Sequence, residues 1–444
     1  MVSKMGIANP LALLAVTAAL PFGSRADDPK VEYHGAGWLQ MGRVEKSFTT
    51  EKHEINNYTH TWMRNAGAVF EANVSIDEHW DGRLGLGAVN VHLSRGKTTN
   101  ANIWYPFWVP FVPEAQITHT NTFSENSKLS FTFGSFGVDY NPDAKNLGLY
   151  LMRGYVYPGS LVSGFTGPLG VLAATTGAMG SYRFGKFQYD QILVSETEDK
   201  PLYDFSLAEI LTVRPAPGLE FGFGANHYRF IAQDKRLTSP GKDCRADMEM
   251  GENGIGCFEV VNTLDADGNI LSSDTITGSL AGTKLMARFH VDPKAMFGLG
   301  ESLGGGELVL YGEAAVLGVK NVGNYYKDIM RRIPVMMGFN FPTWRILDNL
   351  SLEVEYYASR NSSDNLGAQF GSWIPNVDPD VNNARDDWKW SLNIDKIVAG
   401  HVKFSAQVAN DHLRVGGYHN YATGVETTTT PEDWYWTTKA VYFF

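Results

Sequence analysis

Apolar and polar residues alternate one by one along most of this chain, from about residue 30 to its last position. In 65–76, Ala66, Ala68, Phe70, Ala72, Val74 and Ile76 share one face, and Asn65, Glu71, Asn73 and Ser75 share the other. In 350–357, Leu350, Leu352, Val354 and Tyr356 oppose Ser351, Glu353 and Glu355. In 387–395, Trp388, Trp390, Leu392 and Ile394 oppose Lys389, Ser391, Asn393 and Asp395; in 401–408, Val402, Phe404, Ala406 and Val408 oppose His401, Lys403, Ser405 and Gln407. A period of two is the strand signature, and half-apolar strands need one dry side and one wet side. Amphipathic helical stretches are nearly absent.

The connections carry a second pattern. Tight turns fall near 77–82, 124–127, 184–186, 215–218, 344–349 and 396–400, and a longer link at 292–305 belongs to the same side by parity. Long polar links fall near 49–60, 96–112, 141–167, 231–276, 361–386 and 414–431, with shorter ones near 198–205 and 321–330. Strands are thus expected near 31–48, 61–77, 82–95, 113–123, 127–140, 168–183, 186–197 and 206–214. They continue near 219–230, 277–291, 306–320, 331–341, 350–360, 387–397, 400–413 and 432–444. The alternation is weakest in 82–95, 113–123 and 186–197. The predicted fold is all-β: a transmembrane antiparallel β-barrel of about 16 strands (14 to 18), with short periplasmic turns and longer outer loops. Trp62, Trp80, Trp344, Trp388 and Trp434 sit near strand ends, where interfacial aromatic girdles belong. A soluble secreted β-protein is the competing structural reading.

The two ends bear on location. The final strand places Trp436, Thr438, Ala440, Tyr442 and Phe444 on one face, which resembles the C-terminal signal that barrel-assembly machinery reads in bacterial outer-membrane proteins. Residues 1–26 read as a signal peptide: Lys4 is the positive start, 11–20 the apolar run, and Ser24-Arg25-Ala26 the cleavage site. That run is too short for the ~20 residues of a spanning helix. The expected organisation is signal 1–26 and barrel 27–444, in the outer membrane of a Gram-negative cell, against lipid bilayer and lipopolysaccharide. Mean hydropathy of −0.20 does not discriminate, because barrel strands average lipid-facing and lumen-facing residues. The net charge of −11, or −13 once Lys4 and Arg25 leave with the signal, argues against a nucleic-acid partner.

One long connection differs from the rest. Segment 141–167 carries Leu147, Leu149, Tyr150, Leu151, Tyr155 and Tyr157, and follows the strand Phe131-Thr-Phe-Gly-Ser-Phe-Gly137. An apolar loop must bury something, and the lumen wall is the nearest surface. With this loop between the fifth and sixth strands, the organisation resembles the bacterial porin superfamily. The resemblance implies an inward-folded constriction loop at 141–167, passive diffusion of small hydrophilic solutes or ions through a water-filled barrel, and a homotrimer. It implies no cofactor, no metal and no enzymatic chemistry.

The candidate pore-lining charges are Asp143, Lys145, Arg153, Lys284, Arg288, Arg332, Glu353, Glu355, Lys389, Lys403 and Lys439, with Glu71, Glu307, Glu313 and Asp395 on the same predicted faces. Rings of charge set ion preference in pores; cross-strand neutralisation, as between Lys403 and Asp395, is the plainer account. Cys244 and Cys257 close a short polar stretch and read most simply as a disulfide in an exported protein, ahead of a two-cysteine metal site. The aromatic and proline cluster at 102–111 reads as an outer loop packed over the rim, with a sugar-stacking platform as the functional alternative. Asp265-Ala-Asp-Gly-Asn269 lacks the closing carboxylate of a calcium loop and reads as a hairpin turn. The histidines show no metal spacing. A surface adhesion or structural barrel acting through loops 231–276 and 361–386 is the alternative function, and a barrel enzyme a more distant one.

Overall fold

The structure, a computed structural model, describes residues 29–47, 58–94, 103–104, 108–152, 161, 173–195, 205–231, 258–264, 270–277, 282–299, 303, 306–319, 329–358, 387–413 and 427–444. The segment 1–26, both cysteines, Arg153 and loop 361–386 lie outside these residues.

Sixteen strands form the barrel wall. The first eight are β1 (Lys30–Lys46), β2 (Trp62–Ser75), β3 (Trp80–Ser94), β4 (Ala115–Ser124), β5 (Ser127–Val138), β6 (Ala173–Phe184), β7 (Phe187–Ser195) and β8 (Phe205–Ala216). The second eight are β9 (Leu219–Ile231), β10 (Gly282–Val291), β11 (Val309–Val316), β12 (Val335–Asn340), β13 (Asn349–Tyr356), β14 (Trp388–Val398), β15 (Val402–Asn410) and β16 (Trp434–Phe443). Each pairs antiparallel with its neighbours in sequence, and β1 also pairs with β16, from Ala36 opposite Phe443 to Lys46 opposite Trp434. The sheet therefore closes on itself and leaves no free edge. The three weakly alternating stretches all form strands.

Alternation assigns the two faces. Leu39, Phe70, Leu86, Phe133, Phe223 and Phe404 all stand exposed on the outside of the wall. Their neighbours in sequence point inward, where Gln40, Thr132, Asn226, Lys284, Ser351 and Ser391 are buried. An apolar exterior and a polar interior invert the usual soluble arrangement, and are the pattern of a lipid-embedded barrel. Aromatic pairs mark both rims. Trp62 meets Trp436 at 5.9 Å and Tyr356 meets Trp388 at 4.9 Å at the long-loop end. Tyr182 meets Phe184 at 6.4 Å and Tyr442 meets Phe444 at 6.1 Å at the opposite end.

The short connections are built from local chemistry. Between β2 and β3, Asp77 accepts the N–H groups of His79 (2.7 Å) and Trp80 (2.8 Å), and the bond from His79 foremost holds this carboxyl below its ordinary range. Between β10 and β11 lies a one-turn helix, α1 (Pro293–Phe297), capped by Asp292 and ended by Gly298 at a φ of 68°. Outside the wall, 258–264 and 270–277 pair with Leu264 opposite Ile270, while the expected turn at 265–269 itself lies outside the described residues.

Two parts of the stretch expected to be a loop at 102–111 form strand instead. Ile103–Trp104 and Val109–Phe111 both pair with β3 ahead of β4 and lengthen the wall. The reason lies in β3, where Gly87 and Gly85 present no side chains. A Cβ at Gly87 would meet the Phe111 ring at 2.5 Å, and one at Gly85 would meet Pro113 at 2.7 Å.

Phe444 completes the seam. Its N–H donates to the Gly35 carbonyl (3.0 Å), and the Gly35 N–H donates to the Phe444 carbonyl (2.9 Å). The Phe444 ring occupies the space a side chain at residue 35 would need. Gly35→Ala should therefore cost about 1–3 kcal/mol by overpacking, read as a lower urea midpoint for the folded, fast-migrating form on unheated gels. The second change Phe444→Ala should restore most of that loss, because the ring is what the new methyl strikes.

Candidate functional site

The connection from β5 to β6 turns into the barrel rather than away from it. Asp139 to Met152 run along the inner wall, and Leu147, Leu149, Tyr150, Leu151 and Leu161 are buried. They pack on inward-facing residues of β7, β8, β10, β11 and β12: Ile192, Ala208, Ile210, Met286, Tyr311 and Met336. One side of the interior is thus an apolar core, formed between a loop and a strand wall.

Polar contacts fix the loop at its other flank. Glu353 of β13 accepts the N–H of Lys145 (2.5 Å) at Oε1, and those of Asn146 and Leu147 (both 2.9 Å) at Oε2. The Tyr311 hydroxyl donates to it as well, at 3.0 Å. Glu313 of β11 accepts the N–H of Leu149 (3.1 Å) and Tyr150 (2.8 Å), the Tyr140 hydroxyl (2.8 Å) and Asn141 Nδ2 (2.8 Å). A carboxylate offers about four acceptor sites, and these two buried groups each receive four donors. A buried charge is tolerated when it is hydrogen-bonded in this way.

The backbone bends to present those donors. Gly148 has a φ of 82° and Leu149 a φ of 56°, so two successive residues take the left-handed conformation and aim the following amides at Glu313. Glycine holds this at no steric cost. Leucine pays about 1–2 kcal/mol, offset by complete burial of its side chain, about 1.5–3 kcal/mol. A side chain at Gly148 would meet Met336 Cε at 2.6 Å.

Further contacts tie the loop to the end of the chain. The Tyr150 hydroxyl donates to Glu355 Oε2 (2.5 Å), whose other oxygen meets His412 Nε2 at 2.6 Å. Asn146 donates to Asp411, which also takes the Tyr435 hydroxyl at 2.7 Å. On the opposite flank, Asn226 donates to the Leu151 carbonyl (3.0 Å), and Asp143 meets His290 Nδ1 at 2.5 Å.

The charges singled out in the sequence therefore occupy several settings. Glu353 and Glu355 are fully enclosed beneath the loop. Lys389 is buried and donates to the Thr428 carbonyl (2.5 Å); Lys284 is buried with its ammonium 5.5 Å from the Tyr228 ring centre. Arg288 is buried and paired with Glu220 at 2.6 Å, and Arg332 is buried in the turn ahead of β12. Asp143 and Lys145 are half-buried on the loop, Lys145 Nζ donating to the Pro142 carbonyl (3.1 Å). Lys403 pairs with Asp395 at 3.2 Å, and Lys439 lies 5.9 Å over the Trp38 ring; both are half-buried on the wall across from the loop. That wall, from β14 through β16 to β2, also presents half-buried Asn65, Glu71, Ser405 and Gln407. The anchoring roles of Tyr140, Tyr311, Asp411 and His412 are not readable from sequence, since each depends on a partner far along the chain. The hint in the sequence is a set of acids on predicted inward positions, Glu313, Glu353 and Glu355.

No protein-family profile matches the sequence, and no curated protein matches it. Among solved structures, the chain is similar to a variant of Rhodopseudomonas blastica porin at 9% identity and a TM-score of 0.40, covering 94% of this chain and 100% of that one. It is similar to Salmonella typhi OmpF in complex with daunomycin at 8% identity and a TM-score of 0.45, covering 94% and 98%. In its own geometry the chain is a closed barrel of sixteen antiparallel strands with an inward loop after the fifth.

Glu353→Gln replaces one acceptor oxygen with a donor and leaves buried N–H groups unpaired, each worth about 1–3 kcal/mol. Amide exchange at Lys145 to Leu147 should accelerate at least tenfold relative to the barrel strands, with a smaller change at Leu149 and Tyr150. Glu313→Gln should reverse that ranking.

Proposed function

We propose that this protein is an outer-membrane porin: a channel for passive diffusion of small hydrophilic solutes or ions, narrowed by segment 141–167. The observation that carries the reading is the loop itself, clamped by Glu313 and Glu353 against one side of a closed barrel. A loop held this way fills part of the cross-section and leaves the polar wall of β14 to β2 facing the remaining space. Sixteen strands are in the range where a barrel retains an aqueous channel. The reading requires no cofactor and no catalytic group.

Among the charges, Asp143 and Lys145 on the loop, and Lys403 and Lys439 on the far wall, are assigned to the passage. Lys284, Arg332, Glu353, Glu355 and Lys389 are assigned to holding the loop and the rim. The apolar exterior supports residence in a bilayer, and export to a Gram-negative outer membrane as a homotrimer completes the proposal.

The test is conductance of the purified, refolded protein in a planar bilayer. Steady steps are expected, rising about twofold or more when 141–167 is replaced by a short glycine linker. A folded barrel that passes no current would overturn the channel and favour a surface role for the outer loops.

A further inference from the structure

The interior holds a second feature away from the loop's anchors. At the short-turn end, the hairpin turns β6–β7 and β8–β9 border a cleft of about 390 Å³. Its charged lining is Arg183, Lys186, Arg214 and Glu220, with the His290 ring and the backbone of Pro215 to Gly218 beside them. Arg183 and Arg214 are inward positions, since Tyr182, Phe184 and Leu211 beside them stand on the exposed outer face.

The cations outnumber the acid, and that acid is already engaged. Glu220 accepts Arg214 Nε at 2.6 Å through one oxygen and Arg288 at 2.6 Å through the other. Arg288 reaches it by lying across Gly222, where a Cβ would stand 2.6 Å from its Nε. One carboxylate is therefore divided between two guanidinium groups. Lys186 donates to the Pro215 carbonyl (2.6 Å), a neutral acceptor that leaves its charge uncompensated. Arg183 forms no ion pair among the described residues. Of the nearby acids, Asp190 accepts Ser181 and Gln188, and Asp143 is taken up by the lining His290 at 2.5 Å.

We propose that this cleft binds a small oxyanion, a phosphate or a carboxylate group of a solute, at the short-turn mouth of the lumen. The proposal deepens the channel reading and rests on it for the solute's route. Guanidinium groups offer forked N–H donors that match paired oxygens, and an ammonium adds a point charge. A site at the mouth, rather than in the narrowest section, would hold an anion beside the passage and let others pass.

Inorganic phosphate is the probe. Titration calorimetry on the folded, detergent-solubilised barrel reads the cleft, and chloride conductance in a planar bilayer reads the channel separately. Saturable phosphate binding is expected, weakened at least tenfold in the double variant Arg183→Gln, Lys186→Gln. Both residues are at a turn and outside the loop's anchors, so folding and chloride conductance should persist. Single replacement of Lys186 by Arg should retain binding. Absence of binding in a barrel that conducts chloride would overturn the site and leave the channel standing. Equal binding in the parent and double variant would also overturn it, as an adventitious ion only. Binding lost in the variant, with no chloride current in either form, would support the site and overturn the channel.

Discussion

Two carboxylates saturated with donors hold the interior of this barrel together. Glu313 and Glu353 project from the wall, and the amides of Lys145 to Tyr150 need acceptors once they leave solvent. Neither side is stable alone. A loop entering an apolar interior would strand its N–H groups, and a buried carboxylate without donors carries a penalty of several kcal/mol. Brought together, each carboxylate receives four donors, and the loop is held from Lys145 to Tyr150. The apolar side chains beside them then supply area burial that the hydrogen bonds direct but do not themselves create.

This arrangement divides the interior into two unequal sides. The wall from β7 to β12 becomes a packed core, with leucines and tyrosines of the loop pressed on isoleucine, methionine and tyrosine of the strands. The wall from β14 through β1 to β2 keeps Asn65, Glu71, Lys403, Ser405, Gln407 and Lys439 half-buried. A closed barrel with an apolar outer face could otherwise hold a wide pore or none. The position of the loop decides which side of the wall is packed.

It also changes the meaning of the chain's acidity. The net charge is −11, yet Glu307, Glu313, Glu353, Glu355, Asp411 and Asp433 are buried in structural roles. Those acids are engaged by backbone and side-chain donors, whereas Arg183, Lys186 and Arg214 line a cleft at the short-turn end. Overall charge is therefore a poor guide to what the interior prefers.

The wall was legible before any coordinates. Strands expected near 61–77, 219–230 and 387–397 form as Trp62–Ser75, Leu219–Ile231 and Trp388–Val398, and the inward course of the loop followed from its apolar residues. The loop reading of 102–111 did not anticipate the strand pairing of 103–104 and 109–111, because the two glycines that admit Phe111 and Pro113 lie on another strand. The inward direction of Glu353 and Glu355 could also be read, but not their enclosure. Lys145 and Glu353 are 208 residues apart. Alternation is a local property, fixed by the pleat of each strand and carried in every few residues, so sequence alone determined the strands, their faces and the parity of the turns. Which inward acid meets which amide, and which side of the wall the loop packs on, depends on ring closure and strand order, and only the tertiary structure decided them.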